Sequence, residues 1–123
     1  MGISKLRQSR QGKAEPQTPR QQSCREWIER FVHYLRTECH LAENSVVAYR
    51  RDLERFAEWI KTKPINGLRI ADLTDFVGWL GKQSLASSSV SRHVVSTRMF
   101  FKFLQLEGAI VDNPAELLAT QKI

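Results

Sequence analysis

Large apolar residues recur every three or four positions along most of this chain, the spacing that lines one face of an α-helix. The first such stripe opens at Ser23, carries Trp27, Ile28, Phe31, Tyr34 and Leu35, and fades near residue 40. A second carries Val46, Tyr49, Leu53, Phe56 and Ile60 and ends near Lys61. Asn44 or Ser45 is its expected N-cap, because either side chain accepts a hydrogen bond from an unpaired backbone N–H of the first turn. Lys63-Pro64-Ile65-Asn66-Gly67 then breaks the pattern. A third helix is predicted over residues 70–82 with Leu73, Phe76, Val77 and Leu80 on one side, and Gly78 in its interior offers room for close helix contact. Ser87-Ser88-Ser89 begins a fourth, with Val90, Val94, Phe101 and Leu104 on its core face as far as Glu107 and Gly108 as its stop. A short fifth helical turn is expected over residues 114–119. No run alternates apolar and polar residues long enough to read as a strand, and no internal repeat is evident. The fold class is all-α: four main helices with short links.

Residues 1–22 stand apart. They are rich in Gln, Ser, Pro, Lys and Arg, with too few large apolar side chains to offset the entropy of ordering. They are expected to form a disordered basic tail ahead of one folded domain over residues 23–123. The formal charge of +6 favours a polyanionic partner, but its distribution matters more. Residues 1–25 hold six bases against Glu15 alone, whereas the rest holds thirteen bases against twelve acids. The folded part must therefore segregate its charges to make a nucleic-acid face. Residues 84–106 contain Arg92, Arg98 and Lys102 and no acid, while residues 43–62 balance four bases with four acids. On charge alone, the fourth helix is the better candidate.

Other chemistry is thinly represented. Cys24 and Cys39 lie in or beside one helix, and fifteen residues of helix span about 22 Å, too far for a disulfide. Free thiols in a reducing cytosol are expected. With no apolar run long enough for a membrane span and no signal-peptide core, the sequence reads as a cytoplasmic, nucleoid-associated protein. Cys24, His33, Cys39 and His40 lack zinc-site spacing, and there is no Gly-rich phosphate loop. No metal, cofactor or small-molecule ligand is expected. Tyr34 and Tyr49 both sit on apolar stripes, and the three histidines form no recognisable acid–base set.

Two segments resemble a known family. One is Leu41-Ala42-Glu43-Asn44-Ser45 leading into Ala48-Tyr49-Arg50-Arg51-Asp52-Leu53. The other runs from Ser88-Ser89-Val90-Ser91-Arg92 through Ser96-Thr97-Arg98-Met99-Phe100-Phe101-Lys102-Phe103-Leu104 to Gly108-Ala109-Ile110-Val111-Asp112-Asn113-Pro114-Ala115-Glu116-Leu117-Leu118. Between them Phe76-Val77-Gly78-Trp79-Leu80 resembles the family's third helix. Over about residues 25–122 the chain is similar to the SAM-like core-binding domain of Xer-like tyrosine recombinases and phage-type integrases. The resemblance implies an orthogonal four-helix SAM-like bundle with a short fifth C-terminal helix. It also implies a C-shaped clamp on double-stranded DNA, completed by a separate catalytic domain that supplies the tyrosine nucleophile and serves DNA recombination or integration. That catalytic domain is not expected in this chain, so it is expected to be inert alone.

Carried onto matching positions, the resemblance implies DNA contacts from Asn44, Ser45, Arg50 and Arg51 on the second helix. From the fourth it implies Ser88, Ser89, Arg92, Ser96 and Lys102. The residues allow this independently: polar helix starts present free N–H groups to a phosphate, and the arginines lie off the buried stripes. Plainer roles stand beside these. Arg51 and Arg55 have Glu54 and Glu58 within reach as surface ion-pair partners, Arg98 is placed to brace neighbouring helices, and the serines are placed to cap. Two further readings are a helical protein-interaction module contacting other recombinase protomers, favoured if Trp27, Trp59 or Trp79 is exposed, and a stand-alone DNA-binding remnant of a mobile element.

Overall fold

A computed structural model describes residues 23–61 and 63–119. The tail expectation for residues 1–22 lies outside these. Four α-helices follow one another: α1 (Cys24–Thr37), α2 (Glu43–Ile60), α3 (Ile70–Gly81) and α4 (Ser87–Leu106). A 3-10 turn at Ile65–Gly67 occupies the proline–glycine breaker. Among the described residues there is no strand, so the all-α expectation holds. Residues 114–117 form a hydrogen-bonded turn, not a fifth helix. The Asn113 side chain accepts the N–H of Ala115 at 2.9 Å, and an Asn side chain that satisfies a local N–H in this way supports a turn rather than a helix.

The helix ends show why these segments form where they do. Ser23 and Glu26 make a reciprocal capping box at α1: Ser23 Oγ accepts from Glu26 N at 3.1 Å and Glu26 Oε1 from Ser23 N at 2.7 Å. At α3 the Asp72 carboxylate accepts the N–H of Arg69 at 2.8 Å. The far end of α4 closes with Gly108 at φ 79. There Gly108 N bonds the Gln105 carbonyl and Ala109 N the Leu104 carbonyl, the Schellman pattern that the left-handed glycine permits.

Two local expectations change. The second helix begins at Glu43 on an Ala42 N-cap, ahead of Asn44 and Ser45, which occupy its first turn. Arg36 at the end of α1 holds the Glu43 carboxylate with Nη2 at 2.7 Å and Nε at 3.1 Å, and this tie coincides with the earlier start. Gly78 makes no close helix contact: a Cβ there would meet nothing within 4 Å.

The core is largely aromatic. Phe31, Phe56, Phe76, Phe100 and Phe101 are fully buried and pack edge-on or tilted against one another across all four helices. Pairings along the helices give their sense. Arg36–Glu43 and Arg50–Glu29 run α1 back along α2, antiparallel. Asp52 meets Arg92 and Ser96, and one turn on Phe56 meets Phe100 and Phe101. α2 and α4 therefore run in the same sense, with their starts at one end of the molecule. Trp27, Trp59 and Trp79 are all half-buried against this core.

Candidate nucleic-acid interface

At the starts of α2 and α4, as at α3 and unlike α1, no N-cap side chain accepts a first-turn N–H. Both N-caps are alanines, Ala42 and Ala86, in extended conformation and without a side-chain cap. The first-turn N–H groups of Glu43, Asn44 and Ser45, and of Ser87, Ser88 and Ser89, precede the first intrahelical bonds, which Val46 N and Val90 N make to the cap carbonyls. Two uncapped helix starts thus stand at the same end of a closely packed helix pair. Unpaired N–H groups aligned with a helix dipole attract anions.

The nine residues expected to touch DNA divide by environment. Asn44, Ser45, Arg51, Ser88 and Lys102 are exposed. Ser89 is half-buried, its carbonyl accepting the Nδ1–H of His93 at 2.6 Å. Arg50 is committed to α1, with Nη1 and Nη2 both on the Glu29 carboxylate and the second contact at 2.9 Å. That pairing holds the Glu29 carboxyl below the usual range, mainly through the hydrogen bond from Arg50. The surface pairs expected for Arg51 with Glu54 and Arg55 with Glu58 are not formed. Arg55 is half-buried, with its Nε lacking a partner among the described residues.

Ser96 does not face outward. It is fully buried and donates its hydroxyl to Asp52 Oδ2 at 2.7 Å. Asp52, which the sequence reading passed over, is the centre of the α2–α4 contact. Arg92 grips it with two parallel bonds, Nη2 to Oδ1 at 2.7 Å and Nε to Oδ2 at 2.9 Å. His93 Nε2 lies 3.4 Å from Oδ1. Asp52 is only 2% exposed, whereas the Arg92 side chain is 40% exposed. One sequence signal for Asp52 was available: an acid beside Leu53, next to the inward face of the second stripe.

Arg98 reaches the C-terminal turn rather than a neighbouring helix, its Nη2 standing 3.4 Å from the Glu116 carbonyl. With Lys102 it lines an open groove of about 450 Å³ between α4 and the C-terminal turn, beside Val95, Met99 and Asn113. Both thiols are free; burial pushes Cys24 up to about 12. Among the described residues no group of three or more His, Cys, Asp or Glu side chains is arranged to hold a metal ion, and no helix is long and apolar enough to cross a membrane.

A family model, the phage integrase N-terminal SAM-like domain, matches residues 28–108. The chain belongs to that family. This SAM-like domain is 32% identical over 99 residues to the tyrosine recombinase XerC of a Roseiflexus species, covering 78% of the chain and 32% of the relative. It is 37% identical over 112 residues to the tyrosine recombinase XerD of Ralstonia nicotianae, covering 89% and 36%. The chain thus spans about a third of the length of the curated relatives it matches. In fold it is similar to the solved N-terminal domain of a phage integrase/site-specific recombinase from Haloarcula marismortui. The TM-score is 0.73 at 16% identity, over 80% of this chain and 96% of that one.

Proposed function

We propose that this SAM-like domain grips duplex DNA for site-specific recombination, with α2 and α4 as its DNA-facing helices and with the strand chemistry supplied by a tyrosine-bearing catalytic domain. The observation that supports it most is the pair of uncapped starts at one end of α2 and α4. Beside them stand the exposed Asn44, Ser45 and Ser88, with exposed Arg51 about two turns along α2 and the half-exposed Arg92 between the two helices. Backbone N–H groups fix register on the phosphates, and the arginines add charge. Lys102 and Arg98 extend the basic face along α4. Arg50 and Ser96 are left out of this reading, the first tied to Glu29 and the second buried. Tyr34 and Tyr49 pack against the core, which supports a binding rather than a catalytic role for the domain.

Fluorescence anisotropy with a labelled duplex over a salt series tests this. Three phosphate contacts give a slope of log K against log salt of about −3. Charge reversal at Arg51 is expected to weaken binding well beyond reversal at Arg25, which lies on α1 in a groove shared with Glu29 and Glu54. No binding at low salt would overturn the reading.

A second reading, a protomer-contact surface, has one observation in its favour. Ile70 and Val111 are exposed and line an open groove between the start of α3 and the C-terminal segment. Concentration-dependent sedimentation without DNA tests it.

A further inference from the structure

We propose that Asp52 is a positioning residue for DNA binding: it locks the Arg92 guanidinium so that only its outer edge is offered to a phosphate. The inference rests on the DNA reading above. A guanidinium has five N–H donors. Asp52 takes one from Nε and one from Nη2, leaving both N–H groups of Nη1 and one of Nη2 on the edge away from the carboxylate. Of these three, one N–H of Nη1 and the remaining one of Nη2 point the same way, the fork geometry that meets two phosphate oxygens.

The Asp52 carboxylate is enclosed: the Ser96 hydroxyl donates to Oδ2, and His93 Nε2 stands 3.4 Å from Oδ1 without a hydrogen bond to it. His93 is itself fixed through Nδ1–H to the Ser89 carbonyl in the first turn of α4. The long Arg92 side chain, otherwise costly to immobilise, is thereby ordered before any ligand arrives. The network also ties the start of α4 to the middle of α2, so the same contact sets both the side chain and the helix that presents it.

The proposal predicts an effect opposite in sign to simple charge. Asp52→Asn removes a buried acid from beneath a surface meant for a polyanion, and long-range electrostatics alone would tighten binding. If Asp52 positions Arg92, binding weakens instead, by about three- to tenfold, and the salt slope falls in size by about one.

The experiment is a double-mutant cycle on the full chain: wild type, Asp52→Asn, Arg92→Gln and the double variant. Each is assayed by duplex anisotropy across salt, at a temperature where circular dichroism shows it folded. The expected result is a loss with Asp52→Asn that disappears in the Arg92→Gln background. Should Asp52→Asn or Arg92→Gln not fold, Arg92→Lys carries the test. It keeps the charge beside Asp52 but has no second N–H edge, and weaker binding is expected at equal charge. Equal or tighter binding by folded Asp52→Asn, an equal loss in both backgrounds, or wild-type binding by Arg92→Lys overturns the proposal while leaving the DNA reading intact. A wild-type chain that binds no duplex overturns both.

Discussion

Asp52 and Arg92 meet across the α2–α4 interface with the acid sealed from solvent and the base half in it, their closest atoms 2.7 Å apart. The asymmetry matters. An isolated buried carboxylate is strongly unfavourable, so removing Arg92 destabilises the fold by about 3–5 kcal/mol, whereas replacing both partners costs far less. Any DNA-binding measurement on an Arg92 variant therefore needs a parallel measurement of folding.

Ser96→Ala separates support from contact. The hydroxyl donates to a charged acceptor, and its loss is expected to lower unfolding free energy by about 1.5–3 kcal/mol in urea titration. Because Ser96 is buried, affinity for duplex at a matched folded fraction is expected to stay within about twofold of wild type. A larger loss of affinity at full folding would mean that the serine bears on binding through its bond to Asp52.

The bare starts of α2 and α4 imply a trade between stability and binding. Ala86→Ser supplies a side-chain oxygen for a first-turn N–H and is expected to stabilise the domain by about 1 kcal/mol. If those N–H groups serve a phosphate, the same change weakens duplex binding. A stabilised variant with undiminished affinity would remove the helix starts from the DNA-facing surface.

Gly78 sits exposed in the interior of α3 with open space beyond it. Gly78→Ala is expected to raise stability by about 0.5–1 kcal/mol, read as a higher melting temperature. A lower one would mean that the position is needed for contact.

Acid should loosen the fold through surface carboxylates. Arg50 holds Glu29, Arg36 holds Glu43 and Lys63 holds Asp72 below their usual ranges, in each case chiefly through a hydrogen bond. The unfolded chain takes up these protons first. The stability these pairs contribute is therefore present above the ordinary values of 4.5 for Glu and 3.8 for Asp and is lost as pH falls below them. Melting temperature is expected to drop between about pH 5 and pH 3, with a shallower fall in Glu29→Gln. An unchanged slope in that variant would show the Arg50 pair to be inconsequential.

The two thiols should react differently. With its thiol at about 12, Cys24 is thiolate in only about one molecule in ten thousand at pH 8, whereas Cys39 is exposed. Iodoacetamide followed by peptide mass spectrometry is expected to label Cys39 well before Cys24.

The sequence by itself determined the four helices, the aromatic core and the family. Each follows from local chemistry: apolar spacing near 3.6 residues, the serine–glutamate box at Ser23, the left-handed glycine at position 108. A run of residues carries those signals without knowing what lies across from it. The candidate site was legible only in outline. Asn44, Ser45, Arg51, Ser88 and Lys102 stand exposed as their positions suggested, but residues 84–106, acid-free in sequence, are not acid-free in space. α2 brings Asp52 against Arg92, and α1 brings Glu29 against Arg50. Which arginines are engaged, why Ser96 turns inward, and that two bare helix starts share one end were decided by tertiary packing. The physical reason is that an ion pair depends on separation in space, and residues forty apart in the chain become neighbours only once the core has set the helices side by side.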